Sequence, residues 1–145
     1  MDEDKLKVGK IKNGTVIDHI QAGKALDVYK ILKGIEKQSL IIAINVPSTR
    51  MRRKDILKIE NKQLESDEYN YVALISPTAT VVSIKNYNVV KKQKITLPDR
   101  IKGIIRCKNP ICISNHETYI TPEFDVTSKD PIILKCTYCE HEQKI

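Results

Sequence analysis

The four cysteines of the chain all lie in its last third, where they form two close pairs separated by a longer loop: Cys107, Cys112, Cys136 and Cys139. The pattern is Cys-x4-Cys-x23-Cys-x2-Cys. Each close pair turns two sulfurs to one side, and the loop lets the second pair complete a tetrahedron around a metal ion. Thiolates are soft ligands that suit zinc and lose their protons on binding. The spacing predicts one structural Zn²⁺ per chain, with no coordination position left open for catalysis.

Other uses of these cysteines are less well supported. Two disulfides need an oxidising compartment, and no signal peptide precedes the charged start of the chain. A redox Cys-x-x-Cys belongs at the start of a helix in a thioredoxin-like unit, and a second cysteine pair would be surplus there. His116 and His141 lie near enough in sequence to replace one ligand, although each is more typical of a polar surface histidine.

Composition bounds the class of protein. The chain has 145 residues, of which 41% are hydrophobic and 30% charged, which suits one ordinary domain or two small ones. Its apolar runs are much shorter than the ~20 residues that span a bilayer, so we expect no membrane association and a cytoplasmic location. One Phe and no Trp leave Ile, Leu and Val to form the core.

The net charge of +7 is unevenly distributed. Residues 1–100 carry 19 basic and 12 acidic side chains, whereas residues 101–145 carry 6 of each. Nucleic-acid binding depends on Lys and Arg contacts to phosphates, and the cysteine segment has no excess of them. An anionic ligand is therefore expected in the first hundred residues.

The order of predicted elements in the first hundred residues is typical of one fold. We expect strands at Thr15–Ile20, Ser39–Val46, Asp55–Glu60 and Ala79–Ile84, helices at Gln21–Lys33 and Ser66–Ile75, a basic loop at Pro47–Lys54 and a hairpin strand at Val89–Lys94. Ser66 is the predicted N-cap of the second helix. Strand, helix, strand, strand, helix, strand is the ferredoxin-like βαββαβ arrangement, with an antiparallel sheet and both helices on one face.

The remainder of the chain predicts a second, smaller domain. A proline-containing joint at residues 96–100 separates residues 1–96 from residues 101–145. The tail is expected to form an antiparallel β domain that depends on zinc, with strands at Ile101–Arg106, Tyr119–Val126, Ile132–Lys135 and Glu142–Ile145. The fold class is α+β.

The predicted topology brings charged residues together. In a ferredoxin-like sheet the first strand lies between the third and the fourth, so Asp18 and His19 approach Lys58 and the 87–92 segment. Lysines neutralise phosphates and a carboxylate accepts hydrogen bonds from ribose hydroxyls. The same residues also fit an ordinary solvated surface, and spacing alone favours that simpler interpretation.

Six stretches, in order and over nearly the whole chain, resemble the regulatory chain of aspartate carbamoyltransferase (aspartate transcarbamoylase). They are GTVIDHI from Gly14, RKDILKIEN from Arg53, NYNVV from Asn86, LPDRI from Leu97, Cys107-x4-Cys-Ile-Ser and LKCTYCE from Leu134. The resemblance implies a chain that is not an enzyme and that dimerises through an N-terminal allosteric domain. It implies a zinc domain that contacts the catalytic chain, in an assembly of two catalytic trimers and three regulatory dimers. CTP and ATP are the implied effectors, acting in feedback control of pyrimidine biosynthesis.

The resemblance also implies roles for individual residues. Asp18 and Lys58 match ribose contacts, His19 and Lys92 match triphosphate contacts, and Val89 lies beside them. Ile11 and Tyr87 match positions that recognise the base, Val8 borders the site, and the four cysteines match the zinc ligands. One position departs from the family pattern, because Val82 stands where the family has an asparagine. A valine side chain neither donates nor accepts a hydrogen bond, so this difference bears on nucleotide selectivity.

Two other classes of function compete with this prediction. A zinc-ribbon nucleic-acid-binding accessory protein fits the cysteine motif and the sequence pI of 9.2. The neutral tail, with no aromatic residues interleaved among basic ones, argues against it. An enzyme has little support, because the predicted metal site is closed and the sequence shows no nucleophile motif.

Overall fold

The computed structural model describes residues 10–145 and divides into two compact units, which meet in sequence between Thr96 and Leu97. Within residues 10–145, every helix is too short or too polar to cross a membrane. Each unit is an antiparallel sheet with its own core. The α+β fold class predicted from the sequence is confirmed.

Residues 10–96, the described part of the first unit, contain five strands and two α-helices. They are β1 (Gly14–Gln21), α1 (Ala25–Ile31), β2 (Leu40–Ser48), β3 (Arg52–Glu60), α2 (Ser66–Ile75), β4 (Thr80–Lys85) and β5 (Asn88–Lys94), with a short 3-10 helix at Ile35–Lys37. The sheet order is β2-β3-β1-β4-β5, with every pair antiparallel. This is the ferredoxin-like order with one extra strand, β5, added beyond β4 by a hairpin.

One face of this sheet forms the core. Ile17 on the central strand lies opposite Leu57 of β3 and Val81 of β4, and all three are essentially buried. Val28 of α1 and Val72 of α2 are also fully buried. Residues directly opposite one another in an antiparallel sheet share a face. The charged residues at alternate positions, including Lys58, therefore lie on the other face.

The first helix begins later than predicted. The prediction of helix from Gln21 is wrong, because β1 continues to Gln21 and α1 begins at Ala25. Gly23 between them has a φ of 92°, a conformation that glycine adopts without strain. The buried carboxylate of Asp55 accepts hydrogen bonds from the N–H groups of Gly23 and Ala25 at 2.9 and 3.0 Å, which fixes where the helix starts.

The basic loop predicted at 47–54 is mostly strand. β2 continues through Pro47 to Ser48 and β3 starts at Arg52, so the turn is only three residues long. Because β2 is an edge strand, it tolerates a proline that a central strand would not. At the second helix the N-cap is Glu65 rather than the predicted Ser66, and the Glu65 N–H donates to Glu68 Oε1 at 2.9 Å.

The second unit is a four-stranded antiparallel sheet of sequential strands. These are β6 (Arg100–Lys102), β7 (Glu123–Lys129), β8 (Ile132–Cys136) and β9 (Glu142–Lys144). Ile101, Phe124 and Leu134 form its small buried core. The predicted strand at 101–106 is shorter because Gly103, with a φ of 74°, turns the chain, and the strand predicted from Tyr119 begins only after Pro122.

Candidate metal centre and anion-binding face

The four cysteine sulfurs converge on one point. All four Sγ atoms lie within 4.8 Å of one another, and the Cys107–Cys139 and Cys112–Cys136 sulfur pairs are each 3.6 Å apart. A tetrahedral ion with metal–sulfur bonds of about 2.3 Å separates its ligand sulfurs by about 3.8 Å. A disulfide would bring two sulfurs to about 2.0 Å. The arrangement therefore fits a single tetrahedral metal ion.

The loops around the sulfurs are held by hydrogen bonds that do not involve a metal. The Asn115 side-chain amide donates to the carbonyl oxygens of Cys107 and Asn109, both at 2.8 Å. The N–H of Cys112 donates to the Asn109 carbonyl at 3.1 Å. In the second pair, the Glu140 N–H donates to the Cys136 carbonyl at 2.9 Å, with Glu140 at a φ of 65°. Each close pair is thus a tight turn that presents two sulfurs to the same side.

The histidines considered as substitute ligands lie outside this group. His116 and His141 are both exposed, and the ligand atoms that cluster belong to the cysteines. The backbone carbonyl of His141 accepts a hydrogen bond from the Cys136 N–H at 2.9 Å, so this residue supports the loop through its main chain. The hydroxyl of Ser114 lies 3.1 Å from Cys112 Sγ. Sequence spacing gave no sign of this serine contact.

Burial makes two of the thiols hard to ionise. It raises the pKa of Cys107 to about 12 and also raises the pKa of Cys136. Burial opposes ionisation of Cys139 as well, but hydrogen bonds from the Asn109 side chain and the His141 backbone outweigh it and lower its pKa to about 7. A metal ion that binds all four as thiolates must therefore displace protons from the site.

A second candidate site lies on the sheet face of the first unit that points away from the helices, at an irregularity in β1. The pairing of β1 with β3 shifts register between Ile17 and Ile20, and His19 has a φ of 57°. This bulge turns Asp18 so that its Oδ1 accepts a hydrogen bond from the His19 N–H at 2.6 Å. The same carboxylate pairs with the ammonium of Lys54 at 3.0 Å. Bulges of this kind re-aim side chains and are frequent at functional sites.

Burial and nearby charges shift the pKa values of both side chains at this bulge. Burial would raise the pKa of Asp18, but the hydrogen bonds and charge of Lys54 and the His19 N–H hold it below its usual value. Burial lowers the pKa of His19; Asp18 opposes this, whereas Lys54, Arg50 and Lys92 lower it further. His19 is thus neutral near pH 7 within a group of cations.

The predicted lysines lie on one row of the sheet. Lys58, Val16, Val82 and Lys92 are consecutive partners across β3, β1, β4 and β5 and so share the face that points away from the helices. Lys58 is largely buried and Lys92 is exposed. Val16 and Val82 lie between the two lysines in this row.

The residues predicted to recognise a base lie at one end of this face. The Tyr87 N–H donates to the Lys12 carbonyl at 2.9 Å, which places the β4–β5 turn beside the segment that contains Ile11. Ile11 is buried, whereas Tyr87 and Val89 are more than half exposed. Val8 lies outside the described residues.

One member of this site was missed by the sequence prediction. Lys54 was assigned to a basic loop, but it lies on β3, is nearly buried and forms the ion pair with Asp18. Its position four residues before Lys58 was the available signal, because alternate residues of a strand point to the same face. The erroneous loop prediction hid that periodicity.

Fold and sites together define a class of protein: a ferredoxin-like domain with a charged sheet face, joined to a small β module built around a cysteine cluster. Residues 6–96 match the family model of the aspartate carbamoyltransferase regulatory chain, allosteric domain, and residues 99–145 match the metal binding domain of the same regulatory chain. The chain belongs to the family of aspartate carbamoyltransferase regulatory chains.

Curated relatives agree with this assignment over most of their length. The regulatory chain of Pyrococcus horikoshii is 52% identical over 139 residues, covering 93% of this chain and 90% of the relative. Those of Thermoplasma volcanium and Methanothrix thermoacetophila are 46% and 47% identical, each covering 97% of this chain and at least 92% of the relative. The resemblance noted in the sequence is confirmed, and the chain is a regulatory rather than a catalytic subunit of a pyrimidine-biosynthesis enzyme. The family assignment does not support the nucleic-acid-binding alternative.

Proposed function

We propose that the charged sheet face binds CTP and ATP, that the cysteine cluster holds zinc, and that the chain transmits the nucleotide signal to aspartate carbamoyltransferase catalytic chains. The observation that carries the proposal is the β1 bulge. Farther along β1 from the row that contains Lys58 and Lys92, it gathers a carboxylate, a neutral imidazole and Lys54. A nucleoside triphosphate needs this combination of hydrogen-bond acceptor and cations.

Each group has a defined part in this proposal. Asp18 accepts hydrogen bonds from ribose hydroxyls, with Lys58 beside it. His19 and Lys92 bind phosphate oxygens, and Lys54 adds a cation that is now paired with Asp18. The base lies at the far end, against Ile11, Tyr87 and Val89. Side chains must hold the phosphates because the sequence contains no glycine-rich phosphate loop.

Zinc is the metal that best fits the cluster. Four thiolates in a tetrahedron form a closed structural site, and soft ligands of this kind favour zinc over magnesium or calcium. The second unit has a small hydrophobic core, and small domains usually need a metal or disulfides for stability. The proposed ion therefore stabilises the fold of residues 97–145 and takes no part in catalysis.

The second unit offers an apolar surface suited to the catalytic chain. Ile111, Ile113, Tyr119 and Tyr138 are between 44% and 82% exposed. Ile111 lies between the first two cysteines and Tyr138 between the last two, so the metal fixes the loops that present them. Exposed aromatic and aliphatic side chains of this kind are typical anchors of protein interfaces. We assign this surface to contact with the catalytic chain.

The first unit offers an edge for a regulatory dimer. Within the described residues, β2 and β5 are the two edges of the sheet. β5 carries Lys91, Lys92 and Lys94, which would repel the same residues of a second copy. β2 has no charged residue and carries Ile44, which is half exposed. Antiparallel pairing of two β2 strands would form the dimer, and three such dimers would link two catalytic trimers.

Nucleotide binding controls activity in this scheme only through its difference in affinity for two quaternary states. Couplings of about 1–3 kcal/mol are typical, which correspond to changes of roughly 5- to 150-fold in affinity. The test is carbamoyl transfer by the reconstituted complex as a function of aspartate concentration, with and without CTP or ATP. A shift in the substrate curve that Lys92→Ala weakens supports the proposal. Curves that neither nucleotide moves, with no binding by calorimetry, would refute the effector role.

A further inference from the structure

Arg50 lies at the tip of the β2–β3 hairpin. It is exposed, and it is not among the nucleotide contacts assigned above. We infer that Arg50 is a further phosphate-binding residue of the same face, which contacts the terminal phosphates and makes the site prefer nucleoside triphosphates to monophosphates. This inference rests on the proposed nucleotide site and adds to it a determinant of phosphate number.

The hairpin is regular up to its tip. Pro47 pairs with Arg53 and Ser48 pairs with Arg52, so Arg50 is the middle residue of a three-residue turn. The Met51 N–H donates to Ser48 Oγ at 3.1 Å and the Arg53 N–H donates to the Met51 carbonyl at 2.8 Å. These bonds link the two sides of the turn and constrain the backbone around Arg50.

The hairpin extends past the end of the sheet where the bulge lies. Lys54 is paired with Gln21, the last residue of β1, so the residues before Lys54 extend beyond that strand. At about 3.4 Å per residue, the turn lies on the order of 10 Å beyond this pair. The base-recognition positions lie at the opposite end, where Gly14 pairs with Ile84 and Val89 follows in register. A nucleotide with its base at that end directs its phosphates toward the bulge and the hairpin.

The charges agree with this placement. Arg50 is exposed, and among the described residues no carboxylate forms an ion pair with it. Arg53, its neighbour in the hairpin, instead donates to the Asn45 carbonyl at 3.1 Å. After burial, the cations that lower the pKa of His19 include Arg50 together with Lys54 and Lys92, so the guanidinium acts on the imidazole that is assigned to the phosphates. A guanidinium binds a phosphate through two parallel hydrogen bonds.

The test is calorimetric titration of the metal-loaded full-length chain with CTP, CDP and CMP. Arg50→Gln removes the guanidinium, and Arg53→Gln removes one charge from the same hairpin as a matched control. Arg50→Gln should weaken CTP binding about tenfold and CMP binding less than twofold, as expected for one charge-assisted contact. Arg53→Gln should leave all three affinities within about twofold. Arg50→Lys should restore part of the CTP affinity.

The other outcomes separate the two proposals. Unchanged CTP affinity in Arg50→Gln, an equal loss for CTP and CMP, or an equal loss in Arg53→Gln would each overturn the assignment of Arg50 while leaving the nucleotide site in place. Wild-type protein that binds none of the three nucleotides would overturn the site itself and Arg50 with it.

Discussion

Asp55 should be among the most sensitive positions of the first unit. Its buried carboxylate accepts three backbone hydrogen bonds, from Gly23 and Ala25 at the start of α1 and from Asn45 in β2, at 2.8 to 3.0 Å. Asp55→Ala leaves all three donors without this acceptor. A buried unsatisfied donor costs about 1–3 kcal/mol, and only the Ala25 bond is fully buried, so we expect a loss of roughly 3–5 kcal/mol.

Urea denaturation of the metal-loaded chain, followed by circular dichroism, measures this loss. With a slope of about 1–3 kcal/mol/M, the midpoint should fall by roughly 2 M. Asp55→Asn keeps an oxygen acceptor and should lose about half as much, which provides a measurable variant if Asp55→Ala does not fold. Asp27, an exposed residue in the first turn of α1, gives the matched control Asp27→Ala. If Asp55→Asn and Asp55→Ala lower the midpoint no more than Asp27→Ala does, the assigned role of Asp55 is wrong.

Three further predictions concern the proposed sites. Chelation of zinc, or Cys136→Ala, should unfold residues 97–145 and release the catalytic chain while the first unit stays folded, as seen by circular dichroism and size exclusion. Ile111→Asp should weaken binding to the catalytic chain at least tenfold in a pull-down titration without loss of zinc, because it places a charge in the proposed interface. CTP should bind more tightly as pH falls from 8 toward 6, because a bound phosphate raises the lowered pKa of His19 and binding then takes up a proton.

Controls distinguish these effects from general damage. His19→Asn should remove most of the pH dependence that exceeds the titration of CTP itself, and calorimetry in buffers of different ionisation enthalpy should show less proton uptake. Equal proton uptake by wild type and His19→Asn would contradict the role given to His19. A Cys136→Ala chain that still elutes with the catalytic chain would contradict the structural role of the metal. For the interface, Lys30→Asp on the exposed face of α1 should leave pull-down unchanged.

The sequence predicted what depends on spacing and order. The spacing of the four cysteines between Cys107 and Cys139 predicted the cluster of metal ligands, because ligand spacing alone is diagnostic for such sites. The alternation of strands and helices specified the ferredoxin-like order, and that order correctly placed β1 between β3 and β4. Both inferences use sequence patterns that can be recognised without knowledge of tertiary contacts.

Long-range contacts account for what the sequence missed. The bulge at His19 depends on a register shift in the pairing of β1 with β3, which no local sequence pattern predicts. The start of α1 is set by Asp55, which lies 30 residues farther along the chain than Ala25. Helix propensity alone therefore placed the start too early. Pro47 suggested a loop, but its place on an edge strand makes it compatible with the sheet. Lys54 was therefore missed as a member of the candidate site.

The ion pair between Lys54 and Asp18 has a consequence for the chain without ligand. The carboxylate serves as a resident counter-ion, which limits repulsion among the cations while no phosphate is present. In the proposed nucleotide site, a phosphate would compete with Asp18 for Lys54, and its binding would leave Asp18 to accept hydrogen bonds from hydroxyl groups. Breaking this one ion pair would then make Lys54 available to the phosphate and Asp18 available to the ribose. A free sugar or a free phosphate should therefore bind much more weakly than the whole nucleotide.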